Sequence, residues 1–350
     1  MVQFADGAKK DLASGYCLDD NARAALAALA ALALDPGAAD AAYVCRESLK
    51  FVLEAQSSDG GFHNLMDESG VFIDDEGSPD SIGRAVWACG VAARSAPNPG
   101  SRAAARAALV KALPRIDRLE GFRPKAYAML GLAAATGPPG ASPIRLDGNP
   151  FRAPFVDALV RAARRLHDEF QAAADEDWPW WEPILSWGNA RLPEALLRAS
   201  AALEDPALAR SGMRALNFLA SITQPDEMFV PIGNQGWYER GGERAIYDQQ
   251  PIEACGMVDA WLAAESLSGD PAYRERAVAA FEWFFGRNTD GAVIAQADIG
   301  GCRDGLNRDA VNANMGAEST LSYLQAHLSI AHASASEAPP PPQQKKDRQA

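Results

Sequence analysis

"SGYCLDDNARAALAALAAL", residues 14–32, sets two adjacent acids and an Asn-x-Arg directly before a long apolar run with helical spacing. An acid at that position can cap the helix and rest against its positive end. It can equally carry chemistry, so the reading turns on whether this is one isolated helix start or one copy of a recurring arrangement.

It recurs. Six segments rich in Ala and other small residues on most faces, 20–34, 80–93, 124–135, 189–202, 250–264 and 314–327, each follow an elaborate polar loop. Between them lie five helices with a charged face and one apolar stripe, 39–55, 101–113, 153–170, 206–219 and 271–285. Apart from one step of about 45, the first kind starts roughly 60–65 residues apart, the period of a helical hairpin plus a functional loop. Val/Ile/Thr alternation is almost absent, so little sheet is expected.

Six inner and five outer helices predict an all-α (α/α)6 toroid in which one outer helix is lacking or replaced by the N-terminal segment. The small residues follow from that geometry, because six helices converging on one axis must approach closely. The expected organisation is an N-terminal extension over 1–13, a single toroid over 14–332, and a disordered tail over 333–350. The tail, "ASASEAPPPPQQKKDRQA", offers no apolar face to bury.

A net charge of −13 disfavours a nucleic-acid backbone or an anionic membrane as partner. Cys17, Cys45, Cys89, Cys255 and Cys302 form no CxxC pair, so buried reduced thiols are expected rather than a disulfide framework or zinc site. No secretory h-region and no apolar run of membrane-spanning length occurs, which points to the cytoplasm. Phosphate-binding fingerprints are absent, and neither a metal nor a cofactor is expected.

In a toroid, the loops entering the inner helices gather at one end, where free N–H groups and helix dipoles face a common cavity. The loops here carry acids, amides and aromatics. The first mouth offers Tyr16, Asp19, Asn21 and Arg23, and the second His63 and Asp80. "DEDWPWWEPILSWGNARLPEALL", from residue 175, adds Trp180, Trp181, Asn189 and Arg191. The fifth loop supplies Trp237, Tyr247, Asp248, Gln249 and Gln250, and the sixth Asn314. Flat rings beside acids and amides suit a sugar, the rings taking its C–H face and the polar groups its hydroxyls. These residues are the expected ligand-binding set.

Hydrolysis of a glycosidic bond needs two carboxyl groups, one acid and one base or nucleophile. Asp20, Glu182, Glu253 and Glu318 are the candidates, the last two amid small or apolar neighbours where burial raises a carboxyl pKa. One of Asp19 and Asp20 is expected to cap the first inner helix, leaving the other to face the cavity.

"GYCLDDNARA", "WPWWEPILSWGNARLPEALL", "YDQQPIEACGMVDAWLAA" and "DGLNRDAVNANMGAESTLSYL" together resemble a helical domain of the six-hairpin glycosidase-like superfamily that often follows a retaining glycosyltransferase domain in bacterial proteins. The resemblance covers residues 14–331. It implies an (α/α)6 fold and carbohydrate chemistry, and it carries no catalytic residue over. The sequence begins at the toroid itself, so transferase activity is not expected.

The leading expectation is a glycoside hydrolase or related glycan-processing enzyme acting on an oligosaccharide or glycan. The alternative is a non-catalytic glycan-binding or scaffold module that partners a separately encoded glycosyltransferase. Two minor alternatives remain. "QSSDGGF", residues 56–62, is similar to a motif that prenyltransferase and terpene-cyclase toroids repeat, here in one copy and more simply a turn. A toroidal sugar epimerase would need facing histidines, and only His63 stands near the expected mouth.

Overall fold

Eleven helices carry the described part of the chain, which in this computed structural model comprises residues 1–137, 145–146, 149–150 and 152–335. They are α1 (Leu18–Leu34), α2 (Ala39–Glu54), α3 (Pro79–Ser95), α4 (Pro99–Ile116), α5 (Phe122–Thr136) and α6 (Arg152–Ala173). The second half contributes α7 (Arg191–Leu203), α8 (Pro206–Thr223), α9 (Pro251–Ser268), α10 (Ala272–Phe281) and α11 (Ala317–Ala335). Every expected inner and outer segment is a helix.

The starts follow local rules. Ser78, Asn98 and Asp205 cap α3, α4 and α8 through their side chains, each with Pro in the first turn, where a missing N–H costs nothing. Gly269, left-handed at φ 73°, ends α9.

The odd-numbered helices form the inner layer. Each packs on the next, α1 on α3 and so on to α11, and α11 packs back on α1, which closes the ring. Helices α2, α4, α6, α8 and α10 back them from outside, giving an (α/α)6 toroid. Among the described residues the sixth outer position holds no helix. The N-terminal segment instead meets the start of α11, where Ala317 N–H donates to the Gln3 carbonyl and Met315 N–H to that of Gly7, both at 3.1 Å.

The small residues do what the geometry demands. A Cβ on Gly90 of α3 would lie 2.0 Å from the Gly131 carbonyl oxygen, and one on Gly131 of α5 would lie 2.3 Å from that of Val86. Trp180, Trp261 and Trp283 are the largest fully buried side chains of the core.

Two two-residue strand pairs stitch entry loops together, Tyr16–Cys17 with Leu65–Met66 and Ile184–Leu185 with Tyr238–Glu239, and Gly305–Leu306 with Val311–Asn312 folds the loop before α11 on itself. "QSSDGGF" is a turn, bridged Gln56 to Phe62, whose Asp59 carboxylate takes Gly61 N–H and pairs with Arg115. All five cysteines are buried and unpaired. No described helix is long and apolar enough to cross a membrane. Residues 336–350, most of the expected tail, lie outside the described part, and α11 runs through 333–335.

Candidate functional site

The starts of α1, α9 and α11 surround a cavity of about 510 Å³. Helix α1 and its lead-in contribute Cys17, Asp19, Asp20 and Arg23; the loops before α9 contribute Asn234, Asp248, Gln249 and Gln250. Asp304, Asn307, Asn312, Glu318 and Ser319 come from α11 and its loop, Asn64 from the second loop, and Gln3 and Phe4 from the N-terminal segment. Carboxylates and amides dominate the wall. Asp248 stands in the left-handed region at φ 59°, which its short polar side chain tolerates better than most.

The geometry of the first turn corrects the expected cap. Cys17 is the N-cap of α1, its Sγ accepting from Asp20 N–H at 3.4 Å, so Asp19 and Asp20 both lie inside the first turn. Burial and the Asp20 carboxylate push the Cys17 thiol up, which keeps it protonated, and it donates to Asp20 Oδ2 at 3.0 Å. Arg23 Nη1 donates to Asp20 Oδ1 at 2.8 Å, while its Nη2 binds Glu318 across the ring.

Two carboxylates, Asp20 and Glu318, therefore share the Arg23 guanidinium, while Asp19 stands beside Arg84. Burial raises the Asp20 carboxyl above its ordinary value, Arg23 pulls it back, and Glu318 and Asp19 add to the rise. The side chains differ in access: Asp20 is 3% exposed, Asp19 25% and Glu318 44%. Asp19 Oδ1 is buried without a hydrogen-bond partner, 3.9 Å from an equally unpartnered Arg84 Nε. Asn64 Oδ1 on the same cavity wall is also unpartnered.

Other expected site residues assemble elsewhere. Arg123 at the start of α5 binds Glu182 and Ser186 Oγ, both at 2.8 Å, and the Trp187 carbonyl. Glu253 accepts Gly188 N–H and Asn189 Nδ2, and burial pushes its carboxyl up to about 7. Arg191 is buried between Glu194 and Asp259, at 2.6 and 2.7 Å. Asp80, in the first turn of α3, is raised by burial and drawn back by Arg84. None of Glu182, Glu253, Asn189, Arg191 and Asp80 lines the cavity. Glu253 departs from the expectation because it sits one turn deeper than Gln250 and reaches the α7 entry instead.

The aromatic expectation is corrected as well. Trp180 and Trp181 are 0% and 3% exposed, packed edge to face on each other and against Phe218 and Phe170. They fill the gap between the fourth entry loop and the outer layer, where no ring face is free. Trp237 packs on the same core, and the Tyr247 ring lies under Arg308. Tyr16 is held in its strand pair, Asn21 bonds the Cys17 carbonyl, and Asn314 accepts Gly7 N–H. His63 stacks on Phe72 and bonds the Asp74 carbonyl. These four also lie off the cavity wall.

Sequence reasoning missed Gln3, Phe4, Cys17, Asn64, Asn234, Asp304, Asn307, Asn312 and Ser319. The density of Asp and Asn in "GGCRDGLNRDAVNANMGAESTL" is a signal for three of them. Gln3 and Phe4 carried none, because the N-terminal segment reads as lying outside the repeat. Among the described residues, no group of three or more His, Cys, Asp or Glu is placed to hold a metal ion.

The shape of the chain is shared with known structures. A sugar epimerase from a ruminal bacterium matches with a TM-score of 0.69 and 14% identity over 95% of this chain and 92% of its own. A D-mannose isomerase matches at 0.65 and 11% over 95% and 92%. A GH76 alpha-mannanase from Bacteroides thetaiotaomicron matches at 0.61 and 12% over 92% and 87%. At these identities the likeness is one of fold. No protein-family model matches the sequence, and no curated protein does.

Proposed function

We propose that this protein is a glycan-processing enzyme that binds a saccharide in the cavity at the inner-helix starts and cleaves a glycosidic bond there. The supporting observation is the gathering of Asp19, Asp20 and Glu318 on one cavity wall, the last two bound to Arg23. Hydrolysis needs two carboxyl groups beside the scissile bond: a protonated one gives its proton to the leaving oxygen, and an ionised one takes a proton from the attacking water. Asp19 and Glu318, on one cavity wall, supply such a pair. Glu318 and Asp19, the more exposed two, meet the substrate, and Asp20 with Cys17 holds Arg23 and sets the charge between them.

Amides from three entry loops and the N-terminal segment, with the two unpartnered acceptors, Asp19 Oδ1 and Asn64 Oδ1, suit a ligand rich in hydroxyl donors. The structurally similar epimerase, isomerase and mannanase are named for sugar chemistry, which agrees with this reading. An epimerase route through imidazoles is less well supported, since none of the four histidines lines the cavity.

The test is release of new reducing ends from a panel of oligosaccharides. D20N and E318Q are each expected to lower kcat by about 100-fold or more while retaining wild-type far-UV circular dichroism. E182Q and E253Q are expected to stay within about tenfold, because their carboxylates lie off the cavity. Saccharide binding with no turnover in the wild type would instead favour the scaffold reading, and undiminished turnover in D20N and E318Q would remove this site from the chemistry.

A further inference from the structure

Phe4 lines two cavities at once. One is the polar site just described; the other, of about 540 Å³, lies between the N-terminal segment and the loops before α11 and is lined by Leu12, Tyr16, Ile299 and Met315. Phe4, Leu12 and Ile299 are 58%, 60% and 59% exposed. Large apolar side chains this open and this close together mark a binding surface more often than chance exposure. Backbone bonds from Met315 and Ala317 to Gly7 and Gln3 fix this apolar wall to the same helix start that carries Glu318.

Resting on the proposed saccharide reading, we infer that the second cavity is an aglycone subsite, so that the preferred substrate is a sugar joined to a neutral apolar group, such as an alkyl or aryl glycoside. With the sugar among the carboxylates and amides, Phe4 marks the crossing point, and a chain or ring leaving the anomeric oxygen would run over it onto Leu12 and Ile299. An anionic head fits poorly among Asp19, Asp20 and Glu318, so the polar end of the ligand is a neutral sugar; Lys10 lines the second cavity. Neither cavity alone points to this class; their junction at one ring does.

The experiment compares methyl and octyl glycosides of glucose, galactose and mannose, below micellar concentration, by isothermal titration with the full chain and with the L12D/I299D variant. Both substituted positions are exposed, so the fold should hold. The expected result is an octyl glycoside that binds about tenfold or more tighter than its methyl partner. L12D/I299D should abolish that gain and leave methyl-glycoside affinity unchanged. Equal affinities for methyl and octyl partners would overturn the subsite and leave the saccharide reading standing. An octyl gain that survives in L12D/I299D would overturn it too, by placing the chain elsewhere. Absence of binding by every glycoside would overturn both. A concentration-dependent dimer abolished by L12D/I299D, without any octyl gain, would assign the patch to a second copy of this chain and overturn the inference.

Discussion

At the scale of single residues, Glu253 shows how burial changes what a carboxyl means. Its pKa rises from 4.5 to about 7 because it is desolvated, with only partial relief from Gly188 N–H and Asn189. Between those values the unfolded chain loses the proton while the folded chain keeps it, so stability is full below pH 4.5 and falls as pH rises towards 7. E253Q should remove that slope: the stability difference between variant and wild type should shift in the variant's favour by about 3 kcal/mol from pH 4 to pH 8 in urea titrations. A pH-independent difference would mean that Glu253 titrates alike in the folded and the unfolded chain. Cys17 is a second case. C17A loses both the cap on Asp20 N–H and the donor to Asp20 Oδ2, and should cost about 1–2 kcal/mol, most of it restored in C17S, as read from the denaturation midpoint.

Single residues were also where the sequence was hardest to read. Asp19 and Asp20 precede the apolar run as a cap would, yet the cap is a thiol, which no propensity scale favours. Glu182 and Glu253 look as promising in the sequence as Glu318 does; what separates them is which turn of which helix they occupy and what faces that turn. Burial of Trp180 and Trp181 was equally hidden, since an aromatic in a loop reads as free until the outer layer is seen against it.

At the scale of elements, the helices follow from local rules and their packing from side-chain size. Helical spacing and the polar loops between the small-residue runs located all eleven, with ends displaced by up to eight residues, the most where α11 runs to Ala335. The small residues of the inner layer reflect a real constraint. G90A or G131A would set a methyl against a backbone carbonyl, and neither α3 nor α5 can yield without moving its other neighbours. Each should cost about 2–3 kcal/mol, seen as a lower denaturation midpoint with an unchanged slope. A loss below about 0.5 kcal/mol would mean that the two helices separate freely.

At the scale of the whole molecule, closure of α11 on α1 makes each inner helix depend on two neighbours, and one continuous core runs from α1 through α10 and on to Tyr323 and Ala326 of α11. Unfolding should therefore be concerted. Far-UV circular dichroism and tryptophan fluorescence, which reports on Trp87 of α3, Trp180 before α7 and Trp261 of α9 among others, should give coincident denaturation curves. An earlier fluorescence transition would show that one hairpin opens independently.

The sequence by itself determined the helices, their alternation of inner and outer kinds, and their arrangement as a toroid, because periodicity, caps and residue size are local properties repeated along the chain. It also marked the end of the toroid at which polar groups gather. Only the tertiary structure decided which of those groups meet. Arg23 and Glu318 lie almost the length of the chain apart and come together because the ring closes, and Phe4 reaches the cavity because the N-terminal segment is tied to the start of α11. Contacts of that range depend on how six helices pack about one axis, and no local pattern of residues encodes them.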